Sequence, residues 1–294
     1  MPIETVAILS PGDMGHAVGR LLREHELRVV TCLTGRSART RTLAQEAGIV
    51  DIPSLEDLVR QADVILSILV SEGAPDLCQQ VADAMRATGK NTLFAECNAI
   101  SPQLTRSLEP LITSAGGRYV DASIIGGPPL NGSSPRLYVS GPHADELLVL
   151  RDSGLDVRHI GPEIGQASGI KMCYAAMTKG SWALYTELLM AADMLGLTDP
   201  LAAEFKSGGG SVYQRMEGSI PGMPAKSRRW ISEMQQIEAT FGELGLTPRI
   251  FQGVTDMYRM VGNTSLGEEN PESRDTERTL NQTIHQLAKE VRKE

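Results

Sequence analysis

Through the first half of the chain, short apolar runs alternate with segments whose apolar residues recur three or four positions apart. Thr5–Leu9 reads as a strand, and Val18, Leu21 and Leu22 give residues 16–24 helical spacing. Residues 27–33 read as a second strand. Strand-like runs follow at 62–69, 91–95, 118–120, 137–139 and 157–160, with helices expected around 38–47, 55–61, 74–87, 101–115 and 143–151. This alternation predicts an α/β domain built on a doubly wound, largely parallel sheet, whose ligands sit beyond the carboxyl ends of the strands.

The pattern then changes to helices only. Residues 165–197 read as one helix roughly 50 Å long at ~1.5 Å per residue. Its apolar or small positions, Ile170, Cys173, Met177, Gly180, Leu184, Leu188, Ala191 and Leu195, are matched on the opposite side by Met172, Ala175, Ala183 and Met190, the mark of a helix buried all round. One polar row runs along it: Lys171, Tyr174, Thr178, Ser181 and Tyr185. A lysine in such a helix must pair with an acid, reach a cleft, or have a lowered pKa suited to proton transfer. Helices are expected at 200–205, 226–244, 248–261 and 274–292, with a Gly, Ser and Pro-rich connection at 206–225 and a polar loop at 263–272. The junction falls near 161–165, giving a first domain of residues 1–162 and an all-α domain of 163–294 that opens with the long interdomain helix.

Composition narrows the function. The 294 residues are 41% hydrophobic and 22% charged, with a net charge of −8. That argues against sequence-independent binding to nucleic acid or an anionic membrane and for a small-molecule partner. The four cysteines, Cys32, Cys78, Cys97 and Cys173, lie far apart, so neither a metal site nor a disulfide framework is expected, and reduced thiols in a cytoplasm are. No apolar run approaches the ~20 residues needed to span a bilayer, and no export or anchoring signal is read.

The candidate chemistry lies in the turns. Ser10-Pro11-Gly12-Asp13-Met14-Gly15 joins the first strand to the first helix. Glycines there let a pyrophosphate approach the backbone at the helix N-terminus, although Ser10 stands where the first glycine of Gly-x-Gly-x-x-Gly belongs and a merely tight turn is the alternative. The second strand should end in an acid for the adenine ribose of NAD, yet no acid occurs between Glu26 and Glu46. In its place stand Thr34, Arg36, Ser37 and Arg39, guanidiniums and hydroxyls suited to a 2′-phosphate, so NADP(H) is the implied cofactor. Residues 69–71, 96–99 and 121–129 lie where strands should deliver their ends. Gly126-Gly127-Pro128-Pro129 is a bend that either presents amides to an anion or simply turns a corner.

With these residues placed, the chain resembles the β-hydroxyacid dehydrogenase superfamily, which includes the 3-hydroxyisobutyrate, tartronate semialdehyde and 6-phosphogluconate dehydrogenases. Ser10-Pro11-Gly12-Asp13-Met14-Gly15 resembles its Gly-Leu-Gly-x-Met-Gly turn, and Ile100-Ser101-Pro102 a helix start in it. Asp121-Ala122-Ser123-Ile124-Ile125-Gly126-Gly127 resembles its substrate-binding Asp-Ala-Pro-Val-Ser-Gly-Gly, and Gly165-Gln166-Ala167-Ser168-Gly169-Ile170-Lys171 the segment ending in its catalytic lysine. The resemblance implies an N-terminal Rossmann sheet followed by an all-α substrate and dimerisation domain, a cytoplasmic homodimer, and hydride transfer between nicotinamide and a small hydroxy acid or carbonyl compound. Lys171 is then the general acid or base, aided by Tyr174. The nicotinamide lies near Leu69, Val70 and Asn98, and Ser123, Gly126 and Gly127 contact the substrate. The departures are Ala175 for the usual Asn, Thr178 for the glutamate of the decarboxylating enzymes, Ile125 for the turn's serine, and Ser232-Glu233 for a Lys-Asp pair; the overall match is to a phosphogluconate-dehydrogenase-like branch. Imine reductases share the architecture but commonly place Asp or Tyr at the lysine position. A non-catalytic NADP(H)-binding protein is the other alternative.

Overall fold

The computed structural model describes residues 3–129, 134–270 and 272–292. The chain forms two compact units, Met1–Met172 and Cys173–Glu294. The division falls inside the longest helix, not in the loop before it.

In the first unit eight strands make one sheet: β1 (Thr5–Leu9), β2 (Arg28–Thr31), β3 (Val50–Asp51), β4 (Val64–Ser67), β5 (Leu93–Glu96), β6 (Arg118–Ile125), β7 (Arg136–Ser140) and β8 (Asp156–Gly161). Their order is β3-β2-β1-β4-β5-β6-β7-β8, parallel throughout except for the antiparallel pair β6 and β7. Helices α1 (Asp13–Glu24), α2 (Ala38–Glu46), α3 (Leu55–Gln61), α4 (Ala74–Thr88) and α5 (Pro102–Thr113) connect the strands. Val6 and Ile8 join Val18 and Leu22 of α1 in one core. Ala7 and Leu9 join Leu77 and Val81 of α4 and Leu108 of α5 in another. Both faces of β1 are therefore buried, which is why it reads as an unbroken apolar run and not as an alternation. Ser54 and Ser101 cap α3 and α5 by accepting the backbone N–H of Asp57 and Leu104.

Three local expectations are corrected. β6 continues to Ile125, so Asp121–Ile125, read above as part of a turn, is strand: Ala122 pairs with Val139 and Ile124 with Leu137. The bend starts at Gly126, whose φ of 128° suits glycine. Residues Ala144–Ser153 form 3-10 turns and not an α-helix. The two-residue β3 was not read, because neither residue is buried and no alternation marks it.

The second unit holds most of α6 (Gln166–Leu195), followed by α7 (Thr198–Ser207), α8 (Ser211–Ser219), α9 (Ser227–Glu243), α10 (Arg249–Gly262), α11 (Ser265–Glu268) and α12 (Leu280–Val291). α9 packs on α10 through Phe241 and Phe251, ring centroids 4.7 Å apart, and Trp230 and Tyr258, 5.5 Å apart edge to face. Lys179 of α6 pairs with Glu233 of α9 beside the Trp230 ring. The expected connection 206–225 contains α8, because Tyr213 and Met216, three apart, are both buried. The last helix starts six residues later than read: Thr279 and Gln282 form a reciprocal capping box that fixes its first turn. Pro271 of the expected loop lies outside the described residues. Nor is α6 buried all round, since Met177, Leu184 and Leu195 are 55%, 62% and 72% exposed. Among the described residues no helix is long and apolar enough to cross a membrane.

Candidate active site

The parallel register brings the ends of β1, β4 and β5 level with Asp121 in the middle of β6: Leu9 is level with Ser67, Ser67 with Glu96, and Glu96 with Asp121. At β1 the chain turns through Ser10 and Pro11 into α1. A Cβ on Gly15 would lie 2.6 Å from the Ser10 carbonyl oxygen, so only glycine lets this helix close down on its strand. Gly12 is the opposite case. A Cβ there would meet nothing within 4 Å, and as N-cap of α1 it leaves the helix without a side-chain cap. An open glycine before uncapped helix amides is the geometry that takes a diphosphate. This cradle fits a dinucleotide.

At the end of β2, Gly35 turns with φ 74° and Ser37 caps α2 by accepting the Thr40 N–H. The arginines that follow differ in what they do. Arg39 forms an ion pair with Asp13 at 2.5 Å, and Arg41 donates to the Leu33 carbonyl at 2.6 Å. Asp13 and Arg39 thus tie α1 to α2. Arg36, half-buried, makes no ion pair among the described residues. Asp51, on β3, accepts the Leu33 N–H at 2.9 Å and so holds the end of β2 itself.

Lys171 sits in the second turn of α6, and its Nζ donates to the Ile124 carbonyl of β6 at 2.5 Å. The same strand anchors the helix start. Asp121 Oδ2 accepts the backbone N–H of Gly165 at 2.8 Å and of Ser168 at 3.1 Å, and the Ser140 hydroxyl at 3.0 Å. Its Oδ1 accepts the Ser168 hydroxyl at 2.5 Å. A carboxylate at a helix N-terminus meets the unpaired amides and the positive end of the dipole. Burial pushes the Asp121 carboxyl up, and these donors work against that rise. Tyr174, one turn beyond Lys171, is 43% exposed.

Other predicted site residues are placed differently. Asn98 is 3% exposed, and its side chain is used inside the protein. Its Oδ1 accepts the Leu69 N–H at 2.5 Å, while Nδ2 donates to Ser67 Oγ at 2.9 Å and to Glu96 Oε1. Val70, beside Leu69, is 48% exposed. Ser123 is sealed from solvent, and its hydroxyl has no hydrogen-bond partner among the described residues. Gly126 and Gly127 are exposed. Two residues that sequence reasoning missed stand out: Glu96, and Asp121 in its role as helix anchor. The available signal was an acid in an apolar strand, closing it in Leu93-Phe94-Ala95-Glu96 and interrupting it in Val120-Asp121-Ala122.

Residues 5–146 match the family model described as the NAD binding domain of 6-phosphogluconate dehydrogenase, and residues 192–261 match a domain of unknown function. The mitochondrial 3-hydroxyisobutyrate dehydrogenase of Drosophila melanogaster is 26% identical over 181 residues, which cover 58% of this chain and 55% of that enzyme. A conserved protein of unknown function, described as structurally similar to 3-hydroxyacid dehydrogenases, superposes with a TM-score of 0.65 at 28% identity, covering 88% of this chain and 99% of its own. Residues 5–146 thus carry a nicotinamide-dinucleotide binding domain, and the chain as a whole is similar to the β-hydroxyacid dehydrogenases. The superfamily's fold is also that of the Mycobacterium tuberculosis 3-hydroxyisobutyrate dehydrogenase solved with L-serine, at a TM-score of 0.71 and 18% identity, covering 97% of this chain and 99% of that one. The matched domain and these relatives together support a nicotinamide-dependent oxidoreductase.

Proposed function

We propose that this enzyme is NADP(H)-dependent and that its substrate is a small hydroxy acid or carbonyl compound, with Lys171 as general acid and base. The observation that carries the reading is Lys171 itself, held by the Ile124 carbonyl two residues before the exposed Gly126-Gly127 bend. The amides of Gly12 to Gly15 would hold the diphosphate, and Thr34, Arg36 and Ser37 the 2′-phosphate, with Arg39 bracing the pocket through Asp13. Leu69 and Val70 would flank the nicotinamide. When bound, the cofactor supplies or accepts the hydride at the carbonyl carbon. Lys171 gives a proton from Nζ to the carbonyl oxygen in reduction and takes it back from the alcohol in oxidation. The Ile124 carbonyl fixes the direction of Nζ. Gly126 and Gly127 offer backbone N–H groups to a substrate carboxylate, and Tyr174 extends the polar face by one turn.

The test is turnover, read at the nicotinamide absorbance, over a panel of small aldehydes, keto acids, hydroxy acids and cyclic imines with NADPH or NADP. Turnover of carbonyl or hydroxy compounds supports the reading. Turnover confined to imines replaces it with imine reduction, and bound cofactor with no turnover at all would favour a binding role.

The exposed apolar positions of α6 supply the face of a homodimer. Met177, Leu184 and Leu195 lie seven and eleven apart on one helix and are all exposed, a stripe that water-soluble proteins seldom leave uncovered. A solution mass of twice 31.7 kDa is expected, shifting toward one copy in Leu184→Asp. A monomer in the native protein at micromolar concentration would contradict this assignment.

A further inference from the structure

The first turn of α6 is capped from a distant part of the chain. A helix start leaves four backbone N–H groups without partners inside the helix, and a Ser, Thr, Asp or Asn at the N-cap is the usual remedy. Here the residue before the helix is Gly165, which has no side chain to offer. Gln166 finds its acceptor nearby, in the Glu163 carbonyl at 3.3 Å. The other three amides turn to the sheet. Gly165 and Ser168 donate to Asp121 Oδ2 on β6, and Ala167 donates to Ser140 Oγ on β7 at 3.0 Å. Ser140 in turn donates its hydroxyl to Asp121 at 3.0 Å, so all three lead to one carboxylate.

Asp121, Ser140 and Ser168 are buried. A carboxylate inside a sheet is unfavourable unless donors surround it, and each contact just named donates to it, which suits the ionised form. A local cap would satisfy the same amides and leave the helix start free to shift on the sheet. The remote cap ties the two together: α6 completes its first turn only where β6 and β7 hold it. Lys171 is tied to the same strand. Ser168 and Lys171, three apart, share a face of α6, and they meet β6 at Asp121 and Ile124, also three apart. Gly126 and Gly127 follow directly on that strand, and all these residues belong to the first unit.

We propose that Asp121 is a positioning residue for catalysis: by capping α6 from β6, with Ser140 as intermediary, it sets where the Lys171 ammonium stands relative to the Gly126-Gly127 bend. Asp121 acts through the helix start and not on the substrate. The inference rests on Lys171 being the acid and base of the proposed reaction.

The experiment measures kcat, KM and NADPH affinity for Asp121→Ala, made in the native protein and again in Lys171→Met, with the best substrate of the panel above. Misplacing a catalytic group by about 1 Å can cost about 10²-fold, so Asp121→Ala should lower kcat by about ten- to a hundredfold. NADPH affinity should stay within about twofold, since the diphosphate cradle is built on β1 and α1. In Lys171→Met the same substitution should change kcat by less than about twofold, because the group it positions is gone. Equal losses in the two backgrounds would show general disruption and overturn the inference, as would a native kcat in Asp121→Ala. Native turnover in Lys171→Met alone would instead remove the reading on which it rests. Should Asp121→Ala fail to fold, Ser140→Ala decides, since it strips the Ala167 N–H of its acceptor and leaves the Asp121 carboxylate in place. A kcat loss of at least about threefold that disappears in Lys171→Met is expected there, and an unchanged kcat overturns the inference.

Chemical labelling supplies a readout independent of turnover. Acetic anhydride acylates lysine Nζ, and peptide masses report its rate at half-buried Lys171 against that at Lys90, which is exposed after α4. Loosening the helix start in Asp121→Ala or Ser140→Ala should raise the ratio of the two rates several-fold. A ratio equal to that of the native protein would show that the cap does not hold the lysine.

Discussion

Replacement of Lys171 by methionine is expected to lower kcat by about 10²- to 10⁴-fold, the usual range for loss of a positioned acid or base. Methionine keeps the length and apolar stem of the side chain and removes only the ammonium. The Asp121 anchor acts on backbone N–H groups of Gly165 and Ser168 and on the Ser168 and Ser140 hydroxyls, so it survives the change. NADPH affinity should stay within about twofold, because the diphosphate cradle of Gly12 and Gly15 is built on β1 and α1. A pure kcat effect with intact binding identifies Lys171 as acting on the reacting atoms. A variant that turns over at the native rate would remove it from the mechanism, and one that also loses NADPH would point to a structural role for the Ile124 contact. Measurement of kcat, KM and cofactor affinity in the same preparation separates these outcomes.

The second large effect is expected at Arg36. Of the arginines after β2, Arg39 is engaged by Asp13 and Arg41 by the Leu33 carbonyl, which leaves Arg36 to meet a 2′-phosphate. Hydrogen bonds to charged groups are worth roughly 1.5–3 kcal/mol, so Arg36→Ala should weaken NADPH by about ten- to a hundredfold. NADH carries no 2′-phosphate, and its affinity should change little. The variant is thus a test of preference and not only of affinity. Equal loss for both cofactors would mean that Arg36 supports the turn and does not read the phosphate. Raising ionic strength should weaken NADPH more than NADH, since the half-buried guanidinium is still reached by salt.

The alternation of apolar runs with helical spacing carried the first unit, because a doubly wound sheet buries its strands on both faces and writes them as continuous hydrophobic stretches. The turn at Gly12 and Gly15 and the lysine in α6 were legible for a similar reason: each needs particular residue types in a short local window. What was not legible depends on register between distant strands. Asp121 lies 44 residues before Gly165, whose N–H it accepts, and Ser67 lies 29 before Glu96. Spacing along the chain says nothing about such pairs until the sheet aligns them. Asn98 shows the same limit from the other side. It sits at the end of β5, where a cofactor contact is expected, yet the structure spends its amide on Glu96, Ser67 and Leu69. The burial of α6 was overread because apolar residues all around a helix do not say which face the same chain covers. Similarly, glycines at 208 to 210 masked α8, whose two buried residues are the only apolar pair that its nine positions needed.

Titration of the native protein with NADPH and with NADH, followed by nicotinamide fluorescence, bears most directly on the proposed function. Saturable binding of both, with NADPH tighter by at least about tenfold, is the predicted result. Tighter binding of NADH would reassign the arginine-bearing turn after β2 and the cofactor with it, and binding of neither by folded protein would contradict the dinucleotide site at Gly12 and Gly15 altogether.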